Sequence, residues 1–534
     1  MANPVVGCGR FAKSGWAVEM RDVEASGKLI APGILISYDR GMNLLANAAS
    51  PLWPFVVLIV CVGFVILAIS RLRLHPFLAL ILAALLAGVM ASSLPADPKN
   101  PAKGKLLRAV ELCTEEFGTT AGKLSIVVGM ATLIGMCMMQ SGAADKVVRR
   151  FLAITGEGRA GLALLAATYF LSIPIFFDTM FMLMVPIAMA LAMRTGGNFS
   201  LYVLAICGAG VTTHSMTVPH PGPLMVVENL KLDTGISLFA GILVGMIPVG
   251  LGWFAMKRIA AANDVPMRET PNAPLSSLRA LVDRPESELP SFAASIAPVV
   301  LPILLISGAS FFEIARHAFG QGKEWAQFAG TGGAEAGWFR QAYHLFEFIG
   351  NKNIALMIGG FLSILLLVRQ KKLGMEKVSA LMGPPLETAG VIIMITAAGG
   401  AFGLMLRNAG VGEAIRHLVA GRSVDLILLS WLVALVLRIA QGSATVAMQT
   451  TSAMIYPLLA AAAPAYSPMY VFLAIGFGAF GCSWMNDSGF WVVSRLSGFS
   501  ERETLRTWTL LLTVLSVIGL VATKLLSVVL PFHP

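Results

Sequence analysis

The chain has 534 residues, 56% apolar and only 13% charged, and its mean hydropathy of +0.77 is far above that of a soluble domain of this size. The formal charge of +10 does not point to nucleic acid, because the basic residues sit in short loops between apolar runs, as at Arg71/Arg73, Arg149/Arg150 and Arg369/Lys371/Lys372. Six scattered cysteines with no close-spaced pair give neither a disulfide framework nor a metal site, and no cofactor motif is present.

Residues 1–50 form a polar extension in which Arg10, Lys13, Glu19, Arg21, Asp22 and Glu24 interrupt any signal-peptide core. A first unit, 51–256, opens with spans near 53–70 and 74–94, an amphipathic stretch, and a third span near 122–140. About 20 helical residues are needed to cross the hydrocarbon core. The next two apolar runs, 160–173 and 179–193, are shorter than that and are joined through Ile-Pro-Ile-Phe-Phe-Asp with no charged loop. Such a pair reads as a re-entrant hairpin, which enters and leaves on one face. A span interrupted at 217–223 and a last one near 235–256 complete the unit.

A linker expected on the cytoplasmic side, 257–292, leads to a second unit, 293–534. Its spans lie near 293–312 and 353–368, separated by an added loop at 313–352, with a third near 389–406. Hairpin arms at 424–439 and 447–463 flank Ala-Gln-Gly-Ser-Ala-Thr, and a span broken at 484–490 precedes the last one near 506–530.

The units are related by sequence. Residues 138–153 match 405–420 at an offset of 267, and the same offset pairs Pro219-His220-Pro221-Gly222 with Asn486-Asp487-Ser488-Gly489. Five crossings and one hairpin per unit make an odd number, so the second copy is expected upside down relative to the first. With the N-terminus outside, the loops at 71–75, 142–159, 257–291, 369–377 and 494–506, which carry most of the loop Lys and Arg, all face the cytoplasm. The expected fold is an all-α polytopic membrane protein of two inverted repeats, each about five transmembrane helices plus one re-entrant hairpin, with broken helices at the midplane.

Irregular backbone survives in lipid only where protein or water satisfies its N–H and C=O groups, so the four interruptions are expected to face one internal cavity. Helices starting there direct unpaired N–H groups inward, a physical basis for holding a carboxylate. The candidate substrate-binding residues are Asp178, Thr179, His220, Gly222, Gln441, Gly442, Ser443, Thr445, Asn486 and Asp487. Asp178, His220 and Asp487 are also proton-coupling candidates, because ionisable groups at membrane depth are costly and usually serve a task. Competing readings make Asp487 a helix cap, His214 a packing residue, and the small polar residues a means of close helix approach. Arg438 is a possible partner for the anion or for Asp487.

The segments FFDTMFMLMVPIAMAL (176–191), THSMTVPHPGP (213–223), GGAFGLMLRNAGVG (399–412), LRIAQGSATVAM (437–448) and NDSGFWVVSRLSGFSERETLRTWTLLLTVLSVIGL (486–520) closely resemble the gluconate permease family of bacterial proton symporters. The resemblance spans about 53–530. It implies uptake of gluconate or a related sugar acid across a bacterial inner membrane, with D-serine the alternative cargo and H⁺ or Na⁺ the coupling ion. It also implies the ion transporter superfamily architecture, a homodimer with paired hairpins and elevator-type movement. The partners expected are a small organic anion and the lipid bilayer, with no nucleic acid, no metal and no cofactor. A channel is the rival from another class, and it would need a continuous pore. No enzyme is expected: there is no H-E-x-x-H, Ser443 lies in QGSAT and not in G-x-S-x-G, and no P-loop is present.

Overall fold

A computed structural model describes residues 52–268, 285–320, 344–411, 425–462, 464–485 and 487–531, together with 341, 413 and 414. The polar extension 1–50 falls outside the described residues, as do 269–284 of the linker and 321–340 of the added loop.

The described residues form helices and no strand. The first half comprises α1 (Trp53–Ser70), α2 (Pro76–Met90), α3 (Lys105–Ser141), α4 (Ala143–Thr155), α5 (Ala160–Leu171), α6 (Phe177–Thr195), α7 (Phe199–Met216), α8 (Pro221–Leu230) and α9 (Thr234–Ala262). The second comprises α10 (Phe292–Gly320), α11 (Lys352–Lys371), α12 (Met375–Asn408), α13 (Leu426–Gln441), α14 (Ala444–Ala462), α15 (Met469–Phe480), α16 (Ser488–Ser497) and α17 (Glu501–Val529). Proline in the first turn starts α1, α2 and α8, where its missing N–H costs nothing. Asn198, Asp233 and Asp425 cap α7, α9 and α13 by accepting from backbone N–H groups, and Ser500 with Glu503 forms a capping box at α17.

Several expected boundaries change. The amphipathic stretch and third span of the first half are one 37-residue helix, α3, held helical at its charged end by Arg108, which pairs with Glu111 at 3.4 Å and Glu115 at 3.5 Å. The second half repeats this in the 34-residue α12. The longer hairpin arms α6 and α14 run 19 residues each, beginning nearer the tip than the apolar pattern indicated. The added loop is partly helical, since α10 continues through Gly320 and 344–349 is helical.

Eight described helical stretches are long and apolar enough to cross a membrane. Their burial sorts them: the most apolar window of Phe199–Leu230 is 89% buried, whereas those of Thr234–Ala262 and Phe292–Phe312 are 33% and 28% buried. The broken span is therefore enclosed by protein and the unbroken ones present apolar side chains outward, as Phe239, Leu251 and Phe254 do.

Three helix starts of the first half recur in the second at one spacing. Phe177 and Ala444, Pro221 and Ser488, and Thr234 and Glu501 begin equivalent helices, each pair 267 residues apart. α3 packs on its counterpart α12 and α9 on α17, while α8 packs on α14 and α6 on α16. Each broken span thus lies against the hairpin arm of the opposite half, which brings all four interruptions to one place.

Candidate functional site

Four helices begin at a common cavity of about 260 Å³: α6 contributes Phe177, Asp178 and Thr179, α8 contributes Pro221, α14 contributes Ala444 and Thr445, and α16 contributes Ser488 and Gly489. The starts of α6, α14 and α16 carry N–H groups with no intrahelical acceptor, whereas α8 opens Pro221-Gly222-Pro223 and keeps only the Gly222 N–H; all four present the positive end of a backbone dipole. Four dipole ends of one sign around one void attract an anion. The rest of the wall comes from His214 and Ser215 at the end of α7, Thr388, Ile392 and Thr396 on α12, Arg438 and Gly442 at the tip between α13 and α14, Phe480, and Trp508.

The two acids in this wall are in opposite circumstances. Asp487 is buried and caps α16, its Oδ1 accepting from Gly489 N at 3.0 Å. Its Oδ2 accepts from Arg438 Nη2 and from Ser483 Oγ, and Ser483 in turn accepts from Trp508 Nε1 at 2.8 Å. Arg438 is 4% exposed and also donates through Nη1 to the Gly442 carbonyl, so the pair ties α16 to the second hairpin tip. Gly442 turns that tip with a φ of 76°, a left-handed conformation that a Cβ would strain. Asp178, in contrast, is exposed to the cavity, and no hydrogen bond or ion pair meets its carboxylate among the described residues.

The histidines divide similarly. His214 lines the cavity, whereas His220 is fully buried behind it, with Nε2 2.8 Å from the Ser172 carbonyl and the two ring centroids 4.4 Å apart. The Nδ1 atoms of both rings lack a hydrogen-bond partner. Phe176 sets its ring edge-to-face against each of them, 6.0 and 5.4 Å away.

Of the residues singled out from the sequence, the cavity gathers Asp178, Thr179, Arg438, Gly442, Ser443, Thr445 and Asp487. His220 stands one layer back, and Gly222 packs instead against α14, where a Cβ would press on Met448 and approach Thr445 Cα at 3.4 Å. Gln441 is the last residue of α13, and Asn486 lies outside the described residues. The polar wall residues and the indole missing from the sequence reading are Ser215, Thr388, Thr396 and Trp508. Thr388, Ile392 and Thr396 share one face of α12 at four-residue steps, a signal hidden by the apolar residues around them.

A family model described as GntP family permease matches residues 53–529. The chain is similar to a gluconate permease of Pseudomonas aeruginosa, 30% identical over 478 residues covering 89% of this chain and 97% of that protein. It is also similar to the D-serine transporter DsdX of Escherichia coli K12, 29% identical over 483 residues covering 90% and 99%. Among solved structures, the Alcanivorax borkumensis YdaH transporter has a likeness of TM-score 0.53 at 14% identity, covering 86% of this chain and all of that one. At that identity the likeness concerns the fold alone.

Proposed function

The chain belongs to the GntP family of permeases, a family of multi-pass membrane transporters, and from that premise we propose that it takes up a small organic acid, gluconate or a related sugar acid, by proton symport. The observation that carries the proposal is the cavity itself, where four positive helix ends surround a void of about 260 Å³ that holds one unpaired carboxylate, Asp178. The substrate carboxylate lies against the starts of α14 and α16. Its hydroxyls meet those of Thr179, Ser215, Thr388, Ser443, Thr445 and Ser488, which both donate and accept.

Coupling is assigned to Asp178. An ionised Asp178 repels an incoming carboxylate across a small, poorly hydrated space; a protonated one does not, and offers a hydroxyl donor. Proton and anion therefore load together. Asp487 already has Arg438 as its counter-ion and serves to shape the site. The two halves are read as antiparallel copies in a bacterial inner membrane, forming a homodimer that exposes the cavity to each face in turn.

One observation favours a second cargo: an unpaired carboxylate at the cavity wall could also accept the ammonium of D-serine, the substrate printed in the name of the DsdX relative. Purified protein in liposomes with an inward proton gradient separates the cases. Accumulation of labelled gluconate, collapsed by a protonophore and competed poorly by D-serine, is the expected result. Counterflow of labelled acid without any gradient separates a carrier from a channel. No accumulation of any sugar acid or of D-serine would overturn the proposal.

A further inference from the structure

Trp508 sits in an unusual turn. Residues Leu505–Thr509 form a π-helical segment inside α17, a widened turn that is rare and often marks a functional place. Its composition, Leu-Arg-Thr-Trp-Thr, contains neither proline nor glycine to account for it. What it achieves is visible in its contacts: two successive side chains reach one residue, Trp508 Nε1 donating to Ser483 Oγ at 2.8 Å and Thr509 Oγ1 to the Ser483 carbonyl.

The equivalent position in the first half shows that packing alone does not demand this. Ser483 and Trp508 lie 267 residues after Met216 and Gly241. There α9 is an unbroken α-helix, and Gly241 lies directly on the Met216 carbonyl, so that a Cβ would collide with it. The same pair of positions touches in both halves, by bare backbone in one and through a hydrogen-bonded chain in the other. The chain occurs in the half that carries the Arg438–Asp487 pair.

The direction of the chain is fixed by chemistry. An indole N–H can only donate, so Ser483 Oγ must accept from Trp508 and its own hydrogen is left for Asp487 Oδ2. We propose that Trp508 is a positioning residue for the cavity: presented by the π-helical turn, it orients Ser483, and through Ser483 the Asp487 carboxylate that caps α16 and holds Arg438. The tilted contact of its ring with Phe177, 5.3 Å between centroids, places the same side chain against the start of α6 beside Asp178. α17 thereby sets two of the four helix starts that face the substrate, one by a polar chain and one by ring packing.

The inference deepens the transport reading and rests on it for its kinetic test. W508F keeps most of the ring contact and removes the N–H. Losing one link to a charged group is expected to raise KM for the transported anion about 10-fold with Vmax changed less than about 2-fold. S483A should do the same, S483T should restore KM by returning a hydroxyl, and W508F/S483A should be no worse than the poorer single variant, because both act through one chain. The cycle is repeated without ligand, as the melting temperature of purified protein across W508F, S483A, D487N and their pairs, so that it can be read even if the wild type moves none of the acids tested. Coupled, non-additive shifts support the relay. A wild-type KM in W508F, an S483T as poor as S483A, or additive melting shifts would each overturn it.

Discussion

Arg438 and Asp487 illustrate why one partner of a buried ion pair cannot be removed without the other. Both are almost wholly enclosed, and each is the other's only ion-pair partner among the described residues. D487A leaves a guanidinium without its counter-ion, and such losses cost about 3–5 kcal/mol. We expect D487A to melt far below the wild type in detergent, and R438M/D487L to recover most of the loss, since replacing both charges by apolar groups is often near neutral. Asp178 predicts the contrary pattern. With no partner to orphan, D178N should fold and melt like the wild type, yet lose gradient-driven accumulation while still exchanging labelled for unlabelled acid. Equal pH dependence of uptake in D178N and wild type would remove Asp178 from coupling.

Helix starts carry both the fold and the site. Asp425 caps α13, accepting from the Ile427 and Leu428 N–H groups, and pairs with Lys524 at 2.6 Å near the end of α17. Burial raises its pKa, but the hydrogen bonds from Lys524 and from those two N–H groups outweigh it and leave the carboxyl below the ordinary range. A depressed folded pKa gives stability that is present above the unfolded value, roughly 3.9, and disappears as pH falls through the folded one. D425A should therefore lower stability by about 1 kcal/mol at pH 7, as cap removal does, with the gap to wild type closing in acid; a pH-independent gap would contradict this. The starts were legible in the sequence to within a few residues, from the apolar runs, and α6 and α14 begin two and three residues nearer the tips than those runs indicated. The breaks at 217–223 and 484–490 were legible as polar interruptions within apolar spans. The continuity of α3 was not, because its charged first turns read as a separate surface element until the pairs of Arg108 show them to be one helix. Nor was the π turn, whose five residues have ordinary helical composition, or the Thr388–Thr396 face of α12, whose lining role depends on α14, an arm that packs on it from later in the chain.

At the scale of the whole molecule, three helix starts in each half recur at a spacing of 267 residues, but the halves share the chemistry unequally. Asp178 corresponds to Thr445 and His220 to Asp487, so each half supplies one acid, at a different place in the motif. The antiparallel reading makes a definite topological statement. Arg194 lies in the last turn of α6 and Ala465 follows α14, both exposed, and a membrane-impermeant thiol reagent should reach R194C only from the cytoplasm and A465C only from outside. Labelling of both from one face would refute inverted copies. The convergence of four helix starts has a last implication, for which molecules are turned away. A void ringed by the electropositive tips of backbone dipoles filters by sign before it filters by outline. Sorbitol, which keeps every hydroxyl of gluconate and puts one more in place of the carboxylate, should fail to compete, and an acid stripped of most hydroxyls should compete better than its poor fit suggests.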